Sequence, residues 1–341
     1  MRKALYKIRE QGKYGFMDVT GEIIIQPRYF EAEQFYNGFS RVHFNNKLVP
    51  LDSLGRLLMR HLFNYVGLFE EELARVQLVK KWGYIDESGA VVIDIDFEDA
   101  RDFSEGLAAV KENGLYGYID KSGDYVIKPQ YLTAGEFKSK LAPVATQEGC
   151  GFIDRKGNFV IAPEFESCLP FQNEVAAFIE DEMWGLVNRK GEIVLPADFE
   201  VIDNYTPGEF FDGMALIYQK EKFGFVNAKG EVIIEPQYEF AGDFGEGLAL
   251  IEKKNKFGFI DKTGATVIEP TYPDAGVFSE GLAQVQIKNK WGYIDTDGNT
   301  AIQPMFDEVL PFKNDLAWAS LHDRWLYIDR WGDVIWEEKV D

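Results

Sequence analysis

The chain has 341 residues and a formal net charge of −21, which opposes general nucleic-acid or anionic-membrane binding because phosphate contacts need clustered Lys and Arg. With 46% hydrophobic and 15% aromatic residues the composition is that of a folded chain and not of a disordered one. No apolar run approaches the roughly 18 residues of a membrane-spanning helix.

The first residues, MRKALYKIRE, carry a charge at every third or fourth position and no apolar core, so they do not read as a signal peptide. Two cysteines with no export signal point to a reducing cytoplasm. Next comes KYGFMDVTG from Lys13, and the phrase returns as KKWGYIDESG at 80–89, LYGYIDKSG from Leu115, KFGFIDKTG from Lys256 and NKWGYIDTDG from Asn289. Anchored on the glycine of this phrase, the copies fall at Gly15, Val49, Gly83, Gly117, Gly151, Gly185, Gly224, Gly258, Gly292 and Leu326. The step is 34 residues throughout, except for 39 between Gly185 and Gly224. A fixed period of this size means stacked supersecondary units, here ten of them (repeats 1 to 10).

Each repeat reads as three short strands. Strand A is the GLAxV run before the anchor, as at Leu107–Val110 or Leu282–Val285; strand B is WGYID; strand C is a β-branched run such as Ile23–Ile25 or Val232–Ile234. A and B are joined by a polar hairpin. B and C are joined by D-x-x-G, as in Asp86 and Gly89, Asp120 and Gly123, Asp261 and Gly264, and Asp295 and Gly298. The Asp side chain accepts from the backbone two residues on, and the Gly takes the left-handed conformation of a type I turn with a bulge. Repeats 6 and 7 put Asn188 and Asn227 in place of the aspartate. That swap keeps the acceptor and removes the charge, which marks a turn residue and not a catalytic or metal-binding carboxylate.

A proline such as Pro129 or Pro236 is expected to end strand C, since it cannot donate to a ladder. A linker follows in which an aromatic (Tyr131), a small residue (Ala134) and a Phe (Phe137) stand three apart; this spacing predicts one tight helical or 3₁₀ turn. A three-stranded meander cannot bury enough surface alone, so the linker aromatics must pack against the neighbouring unit. The expected fold is all-β: a single repeat domain over 1–341, built as a tandem array of about ten 34-residue three-stranded β-meanders, open and superhelical. A closed propeller-like ring, or two five-unit rings, is the alternative, although ten units exceed the usual four to eight blades. Repeat 2, about 39–63, and the terminal repeat, about 316–337, are degenerate.

KWGYID, D-x-x-G, the P-x-aromatic linker and F-S-E-G-L-A-x-V together resemble the bacterial WG-repeat family, also called KWG repeats. The resemblance spans the whole chain and is strongest around Gly83, Gly117, Gly224, Gly258 and Gly292. Repeat 2 departs from it with Leu48-Val49-Pro50, and repeat 10 with Trp325-Leu326. The resemblance implies an interaction module and brings no catalytic residues.

No P-loop, G-x-S-x-G, H-E-x-x-H or dinucleotide fingerprint is present, and His43, His61 and His322 have no ligand spacing. No cofactor and no metal is expected. Cys168 falls in the small-residue column and reads as an inert buried thiol; Cys150 falls in the aromatic column and reads as a locally thinner core. Acidic residues crowd the linkers, among them Glu70–Glu72, Asp102, Glu105, Asp243 and Glu246, while lysines crowd the A–B hairpins: Lys253, Lys254, Lys256, Lys288 and Lys290. These read either as solvated turns or as a stripe for a charged partner. Two places break the pattern. Repeat 2 gathers Arg56, Arg60 and His61 into a basic cluster, and repeat 6 carries a five-residue insertion near Asn204–Glu209 that includes Tyr205. The expected function is a non-enzymatic scaffold that binds a protein or peptide along the repeat surface. The alternative is a binder of a small anionic ligand, such as a nucleotide, near Arg56, Arg60 and His61.

Overall fold

The computed structural model describes residues 4–45, 47–58 and 63–339. Among the described residues there are 36 strands and no helix, arranged as ten small antiparallel sheets, one per repeat. A full sheet has four strands in sequence order: a two-residue linker strand, then A, B and C. In repeat 4 these are Asp99–Ala100, Leu107–Glu112, Leu115–Asp120 and Tyr125–Tyr131. Each sheet is an open run of strands that, outside repeat 2, ends on strand C, and no ladder among the described residues joins one sheet to the next.

The linker departs from the helical turn that its spacing predicts. Asp99 and Ala100 pair with Lys111 and Val110, and Arg101 N–H donates to the Ala109 carbonyl at 2.9 Å. The segment is extended because it is the outermost strand of the following sheet, and a ladder to strand A satisfies its backbone better than one isolated turn would. The proline is also placed differently from the expectation. Strand C runs through it, as Tyr125–Tyr131 contains Pro129.

The reason lies in the anchor glycine. Tyr116 pairs with Tyr131 and Tyr118 with Ile127, so a two-residue step on strand B faces a four-residue step on strand C. This bulge is where a strand proline is tolerated. It brings strand C so close that a Cβ on Gly117 would lie 2.5 Å from the Ile127 oxygen and 2.6 Å from the Pro129 nitrogen. The exceptions fit the same logic. In repeat 10, Leu326 replaces the glycine, and strand C is shorter: it pairs Leu326 with Glu337 and Tyr327 with Trp336 in step, and the register shifts only beyond them, between Tyr327 and Ile328. In repeat 2, Val49 replaces it, and the described sheet has only the A and B strands Phe39–Phe44 and Lys47–Asp52.

The core lies between consecutive sheets. The strand B aromatic after the anchor meets the linker Phe edge-on: Tyr118 and Phe137 have ring centroids 4.8 Å apart, Phe225 and Phe244 4.7 Å, and Tyr293 and Phe312 4.9 Å. Where that residue is Tyr, its hydroxyl donates to a linker carbonyl, as from Tyr84 to Arg101 at 2.7 Å and Tyr118 to Gly135 at 2.9 Å. Burial pushes the pKa of the Tyr84, Tyr118 and Tyr293 phenols far up, so they stay neutral donors. In most repeats the turn glycine rests on the strand C isoleucine of the repeat before it, as Gly123 on Ile93 and Gly264 on Ile234; in repeat 3, Gly89 meets Leu58 instead.

The chain divides into two compact units. The first is Met1–Lys7, Lys13–Gly15 and Ile24–Asp198, and the second is Ile8–Gly12, Phe16–Ile23 and Phe199–Asp341. Within the second unit, segments of the first repeat pack on the tenth. Arg9 makes a two-pronged ion pair with Glu338 (2.7 and 2.9 Å) and lies over the Trp325 ring, while Gly21 sits on Ile335.

Candidate functional site

The D-x-x-G residues are occupied by the turn itself. Asp86 Oδ1 accepts from Ser88 N–H at 2.8 Å and Ala90 N–H at 3.0 Å, and Gly89 has φ 77°. Asp120, Asp261 and Asp295 accept in the same way from Ser122, Thr263 and Asn299, with Gly123, Gly264 and Gly298 left-handed. Asn188 keeps the pattern through Lys190 N–H at 2.9 Å. Hydrogen bonds from Thr263 hold the Asp261 carboxyl below the usual carboxylate range, and those from Asn299 do the same for Asp295. Among the described residues, no group of three or more His, Cys, Asp or Glu is arranged to hold a metal ion, and no helix is long and apolar enough to cross a membrane.

The linker acids form joints between repeats. In five linkers an acidic residue, Glu71, Glu105, Asp212, Glu246 or Glu280, sits at a left-handed position and reaches the equivalent loop of the next repeat. Glu71 accepts from Gly106 N–H at 2.9 Å, Asp212 from Gly247 at 2.7 Å, Glu246 from Gly281 at 2.7 Å, and Glu280 from Asn314 at 2.6 Å. A cation from the B–C turn of that next repeat completes several of these joints. Lys121 lies 3.4 Å from the Glu71 carboxylate, Lys262 lies 2.7 Å from that of Asp212, and Arg155 donates to the Glu105 carbonyl. Other linker acids are also engaged: Asp102 with Arg75 at 3.0 Å, and Asp99 with the Tyr116 hydroxyl at 2.5 Å. Burial raises the pKa of Asp102, and Arg75 opposes the shift. A free acidic stripe along the linkers is therefore not what these residues form. The sequence signal that would have revealed the joints is an acid followed 35 residues later by a loop amide and 50 residues later by Lys or Arg.

The lysine hairpins are different. Lys254 and Asn255, like Lys288 and Asn289, have φ between 51° and 63°, the left-handed pair of a type I′ turn. Lys253 faces Lys256 directly across the ladder of repeat 8, with Lys254 at the tip, and all three are exposed. Repeats 7 and 9 neutralise the residue equivalent to Lys256: Lys222 lies 4.0 Å from Glu239, and Lys290 lies 2.5 Å from Asp307. In repeat 8 the matching position is Pro273, and among the described residues no ion pair joins Lys253, Lys254 or Lys256 to an acid. Lys288 is likewise exposed.

The two breaks in the pattern resolve unequally. Arg56 is tied to its own turn: its Nε lies 2.5 Å from Asp52 Oδ2, and its backbone N–H donates to Asp52 Oδ1 at 2.8 Å. Arg60 and His61 lie outside the described residues. Beside repeat 2 there is a cleft of about 380 Å3 lined by Arg28, Tyr29, Phe30, His43, Phe44 and Leu57, together with Asn45. Phe30 is 75% exposed, with the Lys13 ammonium 5.6 Å from its ring centroid, and His43 lies 3.2 Å from Glu31. The repeat 6 insertion folds onto the next core: Tyr205 packs on Phe223 with ring centroids 5.6 Å apart, and burial and Asp243 raise its pKa. The cysteine expectations are overturned. Cys150 and Cys168 are bonded to each other, because the aromatic and small-residue columns, read separately in the sequence, touch in space.

A family profile described as "WG containing repeat" matches eight times, over residues 14–47, 82–116, 116–147, 151–183, 184–223, 223–257, 257–291 and 291–325. No curated protein matches the sequence. Among solved structures the chain is similar to a eukaryotic initiation factor at 10% identity, with a TM-score of 0.54 and coverage of 98% of this chain and 96% of that one. It is also similar to BamB from Moraxella catarrhalis (11% identity, TM-score 0.36, 90% and 96% covered) and to Kluyveromyces lactis Hsv2p (9%, 0.36, 73% and 88%). The likeness with a TM-score above 0.5, at 10% identity, concerns the fold alone, an all-β array that is β-propeller-like.

Proposed function

Because the chain belongs to the WG-containing repeat family, we propose that it is a non-enzymatic scaffold that docks an acidic protein or peptide segment on the A–B hairpins of repeats 8 and 9. The observation that carries this reading is the lysine trio of repeat 8. Like charges placed directly opposite each other on a ladder destabilise it. Lys253 and Lys256 hold that arrangement without the acid that repeats 7 and 9 supply, in a chain of net charge −21. An acidic partner supplies the missing charge, with Lys288 of the next hairpin extending the patch. Such a contact sets on-rate and specificity and weakens with salt.

The test is a triple reversal, Lys253→Glu, Lys254→Glu and Lys256→Glu, in a quantitative pull-down with isotope-labelled wild type as reference. Partners that depend on the patch fall at least ten-fold and elute from wild type with rising salt. Partner recovery unaffected by the reversal removes the patch from the account.

A second reading has the cleft beside repeat 2 as its support. Exposed Phe30, with Lys13, Arg28 and His43 close by, offers a stacking face and positive charge to a small aromatic anion such as a nucleotide. Thermal shift across a nucleotide panel tests it. No shift for wild type at millimolar ligand ends it, and a shift abolished by Phe30→Ala supports it.

A further inference from the structure

The chain has two cysteines, and the structure joins them: Cys150 and Cys168 form a disulfide with a Cα–Cα distance of 6.0 Å. Cys150 opens strand B of repeat 5, Cys150–Ile153. Cys168 lies in the linker strand Ser167–Cys168, which pairs with strand A of repeat 6, Val175–Glu180. The bond therefore fastens one sheet to the next.

Other repeats make the same contact without a covalent link. The equivalent pairs are Trp82 with Ala100, Tyr116 with Ala134, Phe223 with Ala241 and Phe257 with Ala275, each pair within one core cluster. A repeat thus folds without the bridge. Two separate thiols, however, fill less space than an aromatic ring on a methyl group. Beside the Phe152–Phe171 ring contact that it shares with its sister repeats, repeat 5 has the sulfur–sulfur bond between linker and strand B where they have an aromatic ring filling the space. Both cysteines also line an open cleft of about 560 Å3, together with Glu136, Pro143, Ala145 and Leu169. Both are buried, Cys150 at 5% and Cys168 at 9% exposure, so the wall of this cleft is where a small reagent would meet the bridge.

We propose that Cys150–Cys168 is a reversible redox modification site, closed by a low-molecular-weight disulfide and opened by a small thiol that enters through this cleft, and that opening releases the repeat 5 linker from the sheet behind it. In closing, the thiolate of one cysteine attacks the small disulfide, expels one small thiol and forms a mixed disulfide. The second cysteine thiolate attacks the protein sulfur of that bond and expels the second small thiol. Two electrons pass from the cysteine pair to the small disulfide, and the two cysteine protons end on the two released thiols. Opening runs the same exchange backwards with two equivalents of thiol.

The experiment uses the full chain, equilibrated in glutathione buffers from fully reduced to fully oxidised, quenched in acid, alkylated with N-ethylmaleimide and weighed intact. The expected result is two alkylated cysteines at the reducing end, none at the oxidising end, and a single transition between them. A chain that stays unalkylated at every reducing ratio, or doubly alkylated at every oxidising ratio, overturns the proposal. Hydrogen exchange on the same samples reads the mechanical half. Amides of Cys150–Ile153 and Ser167–Cys168 exchange at least ten-fold faster after reduction, while those of repeat 8 do not change. Equal exchange in both states, or acceleration that includes repeat 8, refutes a local release. The variant Cys150→Phe with Cys168→Ala copies the pair of repeats 7 and 8, and its exchange is expected to ignore the redox buffer.

Discussion

Replacing Gly117 by alanine tests why the repeated phrase contains a glycine. The added Cβ would stand 2.5 Å from the Ile127 oxygen, 2.6 Å from the Pro129 nitrogen and 2.8 Å from the Lys128 carbonyl carbon. All three are backbone atoms, so no side chain can swing away. Strand C must retreat by about 1 Å, which strains or breaks the pairs Tyr116–Tyr131 and Tyr118–Ile127 on either side of the bulge. Overpacking of about 1–3 kcal/mol, together with the weakening of one or two ladder hydrogen bonds worth about 1 kcal/mol each, gives a loss of about 3 kcal/mol. The control is Gly114, three residues earlier in the A–B hairpin, with φ 81° and no atom within 4 Å of its missing Cβ. Gly114→Ala costs only the left-handed conformation, about 1 kcal/mol. Urea unfolding followed by far-ultraviolet circular dichroism gives both values. If Gly117→Ala is no more destabilising than Gly114→Ala, steric approach of strand C is not what the anchor glycine serves.

The remaining predictions concern the core, the turn and the joints. Phe244→Ala, at a residue only 3% exposed and edge-on to Phe225, is expected to lose about 3–5 kcal/mol in chemical denaturation; a loss under about 1 kcal/mol would show that the linker Phe column is not core. Asp86→Asn is expected to stay within about 0.5 kcal/mol of wild type, since Asn188 already fills this turn in repeat 6, whereas Asp86→Ala loses the Ser88 and Ala90 hydrogen bonds and about 1 kcal/mol or more. A hydrogen bond from Lys262 and the Gly247 N–H keep the folded pKa of Asp212 below its ordinary value. Its contribution is therefore fully present above the unfolded carboxylate pKa, near 3.9, and is lost as pH falls through the depressed folded value. Melting temperatures recorded from pH 6 to pH 2.5 should fall less steeply below about pH 4 for Asp212→Asn than for wild type; parallel curves would show that the joint carries no linked proton.

The residues of the repeated phrase determine a good deal alone. Most copies carry the same alternation, the same D-x-x-G (N-x-x-G in repeats 6 and 7) and the same β-branched run, and these act over two to six residues. Local backbone chemistry is enough to specify strands A, B and C and the turn between B and C. Two local readings failed, and for one reason. The aromatic-small-Phe linker has helical spacing but is extended, because strand A of the next repeat offers it a ladder at Asp99 and Ala100. Pro129 appears to the eye as a strand end, but strand C bulges around Gly117 and carries the proline inside it.

The candidate surface was legible where it depends on composition at a hairpin tip, as with Lys253, Lys254 and Lys256. It was not legible where a partner from another repeat decides the outcome. Nothing in the neighbourhood of Glu71 shows that its carboxylate is spent on Gly106, nor in that of Lys290 that Asp307 neutralises it and that Pro273 leaves Lys256 without such an acid. Cys150 and Cys168 make the same point, since each column is plain in the sequence while their contact is not. An internal repeat aligns equivalent positions, but contacts between repeats depend on how the sheets stack. Stacking is set by the summed packing of many side chains, and no short stretch of sequence contains that sum.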